Sequence, residues 1–445
     1  MTEATGATMP QQDSCDAMSQ TSTGKQSHGR VGDIVRVASG NFLEMYDFMV
    51  FGYFAGAIGN AYFPGGSAMG TLLKSFATFG VGFLMRPLGA VILGAFTDRH
   101  GRRAGLLLTL ALMSVGILTL TVTPDYATIG IAAPVLVLLG RLLQGFSAGA
   151  ELGNVSVYLA EIAPAGRKGF YVSWQSASQQ VAVVVAALTG IALSALLGPE
   201  RLAAWGWRVP LGLGCAVIPF LFPLRRDLRE TDIFAQRTAQ PTLGEIGRAL
   251  WQGRAAVLGG VALVLMTTVS FYMITAYTPT FGKLLHLPER DNLWVTAGVG
   301  ASNLVWLPLM GALSDRIGRK PILIGCTLLA ILTAYPAMAW LAASPSVGKL
   351  VTVELWLSAL YASYNSAMVV YLTEVVPPAV RASGFSLAYS LATAVGGFTP
   401  FIVTWLINRS GNPAVAGAWL AAAALASLGA TIFAHRRLPD QRVDT

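Results

Sequence analysis

The chain has 445 residues, of which 54% are hydrophobic and 12% charged, with a net charge of +8. Soluble domains carry about 25% charged residues, so a water-soluble fold of this length is excluded and the excess apolar surface must face lipid. The basic surplus sits in loops between apolar runs, which explains it without a nucleic-acid partner.

Residues 1–30 are rich in Ser, Thr, Gln and Gly and lack an apolar core, so they read as a disordered cytoplasmic tail and not a signal peptide. A bilayer-spanning helix needs about 20 mostly apolar residues. Runs of that kind fall at 34–58, 72–96, 105–123, 130–159, 170–197 and 207–225, then at 256–281, 291–313, 320–341, 351–374, 384–407 and 414–434. The expected organisation is an N-terminal six-helix bundle at 31–225, a polar cytoplasmic linker at 226–254, a C-terminal six-helix bundle at 255–437 and a tail at 438–445.

Placing the Lys and Arg residues on this topology leaves about three times as many on the side of the termini as on the other, which predicts both termini in the cytoplasm. Two segments repeat at nearly one offset. GAFTDRHGRR at 94–103 parallels GALSDRIGRK at 311–320, and YLAEIAPAGRKGF at 158–170 parallels YLTEVVPPAVRASGF at 371–385. A chain built of two similar membrane halves suits a protein that rocks one half against the other around a central site.

Cys15, Cys215 and Cys326 show no metal spacing and read as free thiols. His28, His100, His286 and His435 form no cluster with acids, and the linker holds no phosphate-binding loop. No cofactor, metal site or enzyme activity is therefore expected, and ATP-driven pumping is disfavoured. A membrane-embedded enzyme or a receptor that binds a solute without moving it remains the rival class.

The Gly-x-x-x-Asp-Arg-x-Gly-Arg-Arg loop, RLLQGFSAGAELG at 141–153 and the six-plus-six layout resemble the major facilitator superfamily. SGNFLEMYDFMVFGYFA at 39–55 and FLMRPLGAVILGAFTDRHGRR at 83–103 are similar to the metabolite–proton symporter family. GRLLQGFSAGAELGNVSVYLAEIA, GFYVSWQSASQQVAVVVAAL and SFYMITAYTPTFG resemble bacterial citrate–proton and tricarballylate–proton symporters. The resemblance spans about residues 31–437. It implies an all-α protein of twelve transmembrane helices in two pseudo-symmetric bundles, acting as a monomer in a bacterial inner membrane. The implied activity is proton-coupled import of a tricarboxylate such as citrate or tricarballylate by alternating access. A related proton symporter for a dicarboxylate, a shikimate-like acid or a betaine is the alternative.

Candidate site residues follow from polar groups inside spans. Arg141 is expensive in the membrane and cannot discharge itself, so it is expected either to capture an anion or to hold helix 4 in an ion pair. Gln144 lies one turn on, and the superfamily's Arg-x-x-Gln-Gly motif matches both. Asp47 and Glu44 share a face of helix 1 and are the expected proton carriers, Asp47 first; Asn41 adds a polar ligand one turn earlier. Glu151 is a third protonatable group, with an ion pair to Arg86 as its structural alternative.

In helix 5, Gln175, Ser178 and Gln179 form a stripe of neutral donors suited to carboxylate oxygens or to helix–helix bonding. The second half offers Tyr272 and Tyr277 before Pro279, then Asn303, Tyr364 and Asn365. The loop residues Asp98, Arg99, Arg102 and Arg103, with Asp315, Arg316 and Arg319, are expected to gate the cytoplasmic side. There the Asp would accept hydrogen bonds from a neighbouring helix start, and the Arg residues would pair with acids such as Glu161 or Glu374.

Overall fold

A chain immersed in hydrocarbon must satisfy its backbone polar groups internally, and this one does so almost wholly as helix. The computed structural model describes residues 41–100, 102–164, 166–226, 254–375 and 381–437, with isolated positions 244, 248 and 251. The expected tails at 1–30 and 438–445 and nearly all of the linker at 226–254 lie outside the described residues.

Twelve rods follow in chain order. α1 runs over 41–53 and continues as Ala55–Tyr62; α2 joins Ala68–Leu84 to Arg86–His100; α3 is Arg102–Val122; α4 is Ala132–Ile162; α5 is Lys168–Arg201; α6 is Arg208–Arg226. α7 comprises Arg254–Tyr272, a π-helical segment Met273–Tyr277, and Thr278–Leu284. α8 is Glu289–Ile317; α9 is Arg319–Ala343; α10 is Val347–Val375; α11 joins Arg381–Gly396 to Thr399–Ser410; α12 is Val415–Arg437. Among the described residues nine helices are long and apolar enough to cross a membrane, and α1, α3 and α10 complete the twelve. Each expected span therefore has its helix, displaced by a few residues at the ends.

Local chemistry ends the rods where it must. Ser67 accepts the Gly70 amide at 3.1 Å and caps α2. Gly411, at φ 68°, closes α11 in the left-handed conformation open to glycine.

Packing sorts the helices into an inner and an outer set. Tyr272 and Tyr277 of α7 meet Phe79, Phe83 and Phe76 of the first half, so α7 lines the interface, whereas α9 packs chiefly on α10 and α12 of its own half. Leu196, Phe220 and Leu332 are among the large side chains left on the outside. Within the first half α2 and α3 pack on α4; within the second, α7 packs on α11 and α12. The halves meet chiefly through α5 with α8 and α2 with α11.

Small residues allow these helices to touch backbone to backbone, which is how apolar helices associate where no hydrophobic force separates them from lipid. A Cβ on Gly145 of α4 would lie 1.6 Å from the Gly82 carbonyl of α2. Gly94, a glycine of the repeated loop motif, has open space around it. The tight approach of α2 falls instead at Gly82 and Gly89, facing the longer contact with α4. Its counterpart Gly311 does sit at a close crossing: a Cβ there would be 2.5 Å from the Gly169 carbonyl of α5.

Candidate functional site

Helix α1 is buried along nearly its whole length between the other helices, so its acids need partners. Two arginines supply them. Arg141 of α4 donates through Nη1 to Asp47 Oδ2 at 2.8 Å and to Gln144 Oε1 at 2.8 Å. Its guanidinium lies over the Phe51 ring at 4.0 Å, and both charged side chains are at most 1% exposed. One turn nearer the loop-motif end, Arg86 of α2 donates through Nη2 to Glu44 Oε1 at 2.5 Å. It lies beside the stacked Phe83 and Phe48 rings, 4.7 Å and 5.3 Å from their centres. The two pairs are stacked along one face of α1, with Phe48 between them.

They differ in what they face. Arg86 lines a small cavity between the halves, walled by Met45 and Gln179 from the first half and by Thr268, Phe271, Tyr272, Tyr361, Tyr389 and Thr393 from the second. Among the described residues, the hydroxyls of Tyr272, Tyr361 and Tyr389 make no hydrogen bond within the protein. Arg141 does not line this cavity; its aromatic cover and its two acceptors enclose it inside the first half. Glu44 lines a second small cavity, toward the loop-motif end, with Leu43, Leu110, Met113, Ser147, Ala148 and Glu151. The Arg86–Glu44 pair thus separates two hollows, one between the halves and one inside the first half.

The other expected donors fall into three groups. Gln179 lines the central cavity and donates to Asn41 Oδ1 at 3.2 Å, while Asn41 reaches the Gln175 carbonyl at 3.5 Å, so these three tie α1 to α5. The Ser178 hydroxyl is taken up by its own helix, at 2.7 Å from the Gln175 carbonyl. Asn303 of α8 bridges the halves: it donates to Gln180 Oε1 at 3.3 Å and accepts from Ser358 at 2.7 Å. Tyr277 accepts from Thr404 at 3.0 Å, and Tyr364 donates to the Leu263 carbonyl at 2.7 Å. Asn365 is fully buried, and among the described residues neither of its amide atoms has a hydrogen-bond partner.

The sequence reading left the cavity residues Met45, Thr268, Phe271, Tyr389 and Thr393 unassigned and named Arg86 only as a structural partner for Glu151, whereas its bonded acid is Glu44. Arg86 carried the signal that drew attention to Arg141, a charge in mid-span.

At the loop-motif end the second copy of the motif closes the halves together. Asp315 accepts the Gly169 amide at 2.8 Å and the Phe170 amide at 3.1 Å, at the amino terminus of α5. The helix dipole and the two unsatisfied N–H groups favour a carboxylate at that position. Arg319 holds the same carboxylate at 2.8 Å and approaches Glu374 at 3.8 Å. Arg316 is exposed. The side chains of Asp98, Arg99, Arg102, Arg103 and Glu161 lie outside the described part of the structure.

The opposite end is also shut. A Cβ on Gly52 would lie 3.2 Å from the Ala276 carbonyl, the Phe76 ring stands at 63° to Tyr277, and Gly397 presses on Phe83. Among the described residues the two halves thus touch on both sides of the central cavity.

Comparison with known proteins adds an independent view. The family model described as sugar (and other) transporter matches residues 34–240 and again 235–436, once per half. A citrate-proton symporter of Salmonella typhi is 53% identical over 423 residues, 95% of this chain and 98% of that protein. A citrate-proton symporter of Klebsiella pneumoniae is 53% identical over 410 residues, 92% of each chain. In fold, the chain superposes on the xylose transporter XylE from E. coli with a TM-score of 0.71 at 18% identity, covering 92% of this chain and 99% of that one.

Proposed function

The chain belongs to the sugar (and other) transporter family, and from that premise we propose that it imports citrate, or a closely similar tricarboxylate, together with protons. The two relatives at 53% identity support the substrate. The basic bias of the loops supports an orientation with the Asp-Arg motifs and both termini at the cytoplasmic face of a bacterial inner membrane.

The observation that carries the mechanism is a buried cation, Arg86, lining the central cavity while already held by Glu44 at 2.5 Å. A carboxylate from solution and the Glu44 carboxylate compete for one guanidinium. When the cavity opens outward, water reaches the pair and a proton on Glu44 releases Arg86. The guanidinium then receives a citrate carboxylate, with the phenol groups of Tyr272, Tyr361 and Tyr389 and the Gln179 amide within the same cavity as further donors. Loading therefore requires both solutes, because the proton removes the Glu44 charge that competes with a substrate carboxylate for Arg86.

When the cytoplasmic side opens, Glu44 returns its proton into the hollow it shares with Glu151, reclaims Arg86 and expels the anion. Asp47 and Arg141 serve in this scheme as the fixed neighbour of the exchanging pair.

The test is uptake by purified protein in liposomes with an imposed pH gradient. Labelled citrate should accumulate, tricarballylate should compete, and a betaine should not. Arg86→Gln should abolish citrate binding and uptake. Glu44→Gln should keep citrate–citrate exchange while losing gradient-driven accumulation. Accumulation by Arg86→Gln at the parent rate would sink the site.

A further inference from the structure

The outer part of α7 is irregular for a reason. Pro279 removes a backbone donor, and the preceding segment Met273–Tyr277 is wound as π-helix. This segment supplies Ala276 and Tyr277, the residues that meet Gly52 and Phe76 of the first half. With the orientation proposed above, it is the closing element on the external side.

Immediately behind it, Thr278 Oγ1 lies 2.9 Å from the Ile274 carbonyl, 3.3 Å from the Met273 carbonyl and 3.0 Å from Glu354 Oε1 of α10. A hydroxyl has one proton, and carbonyl oxygens only accept. Glu354 is 1% exposed and its Oε2 has no partner. If Thr278 gave its proton to an ionised Glu354, a buried carboxylate would be left with one neutral hydrogen bond and no cation, which costs several kcal/mol. If Glu354 carries the proton and donates it to Thr278, the hydroxyl proton goes to the helix carbonyls and all three contacts are satisfied.

Among the described residues no cation forms an ion pair with Glu354. The charged groups at this end of the neighbouring elements are engaged or exposed. Lys283 of α7 pairs with Glu289 of α8 at 3.7 Å. Lys349 of α10 reaches the Trp340 carbonyl and Ser344 of α9. Arg290 of α8 and Arg409 of α11 are exposed. From α7 the titratable neighbour is Tyr277, whose hydroxyl accepts from Thr404 of α11.

We infer that Glu354 is a protonation latch on the external gate: its acid form donates to Thr278 and docks the π-segment against the first half, and its ionised form leaves the gate open. The inference deepens the symport reading and rests on its orientation. The latch proton enters from outside when the gate closes and returns outside when it reopens. It is not transported, unlike the proton of Glu44.

The test needs no solute, so its outcome is separable from the citrate assignment. Ala276→Cys, in a background lacking the three native cysteines, is labelled with a membrane-impermeant maleimide in cells or oriented liposomes. In the parent, the open-to-closed ratio should rise with external pH by up to about tenfold per pH unit, the slope of a one-proton equilibrium. In Glu354→Gln, whose amide donates to Thr278 at every pH, labelling should be low and follow only the reagent's own pH dependence. Equal pH dependence in the two proteins would overturn the latch.

Thr278→Val, which removes the acceptor, should label rapidly at all pH values; retention of the parent profile would also overturn it. Proton–citrate stoichiometry from reversal potentials should be unchanged in Glu354→Gln. A loss of one proton per citrate would make Glu354 a transport site instead.

Discussion

Two arginines stand one above the other beside α1, each with its own carboxylate, yet of the two only Arg86 lines the central cavity. Arg141 is fully buried, bound to Asp47 and Gln144 and covered by Phe51. Asp47→Asn leaves that cation without a counter-charge. The expected loss is about 3–5 kcal/mol of stability, seen as a lower thermal midpoint in detergent. The double variant Asp47→Leu with Arg141→Met should recover most of it. If Asp47→Asn is as stable as the parent, the pair is not what holds α1 to α4.

Arg86 is the pair whose partner can change. The sequence reading placed Asp47 ahead of Glu44 for its depth and singled out Arg141 for its match to the Arg-x-x-Gln-Gly motif, leaving Arg86 as a structural partner for Glu151. Depth in a helix was legible; which side of the helix meets the central cavity was not. That depends on the rotation of α1 and α2 about their axes, set by the Gly82–Gly145 crossing and the Phe48, Phe79 and Phe83 cluster. Glu354 escaped notice for a related reason: it is the fourth residue of its expected span, where acids ordinarily reach the headgroups.

The helices keep the α-helical period over most of their length, and of the departures from it the π-segment of α7 lies where the halves touch. α5 begins on Asp315, and α5 crosses α8 where Gly311 meets Gly169. Gly311→Val puts carbon close to a carbonyl oxygen of α5 and should prevent closure at the loop-motif end. Distance measurements between spin labels on α5 and α8 should then show a longer separation. Asp315→Asn keeps the shape but loses the charge that both the α5 amides and Arg319 use. Hydrogen bonds to a charged group are worth roughly 1.5–3 kcal/mol each, so the closed population should fall at least tenfold. An unchanged distance distribution in both variants would refute the clasp.

The twelve spans and the doubled loop motif were legible because hydropathy and repetition are local properties. The π-segment of α7 was not. Pro279 marks a break, but only the packing of Tyr277 between Phe76, Phe281 and Thr404 shows where the winding changes.

At the scale of the molecule, one buried apolar cluster runs across both halves, with Phe76, Phe79 and Phe83 against Tyr272 and Tyr277, and polar bridges are set into it. Asn303, between Gln180 and Ser358, is one such bridge. The competition at Arg86 then fixes the pH dependence. A proton on Glu44 frees the guanidinium, so apparent citrate affinity should fall as external pH rises, by up to about tenfold per pH unit for one linked proton. In Glu44→Gln the dependence should reduce to that of citrate ionisation itself. Binding isotherms at several pH values in detergent would show it, and parallel curves for the two proteins would refute the linkage.

The occupied state of Arg86 bears on selectivity. An entering molecule must displace a carboxylate that is already in contact, so volume alone does not qualify it as cargo. A neutral polyol of citrate's size can enter the hollow but offers nothing to lift Glu44 away. It should lodge there as a plug, slowing the carrier without being carried, which makes discrimination a matter of charge displacement more than of fit.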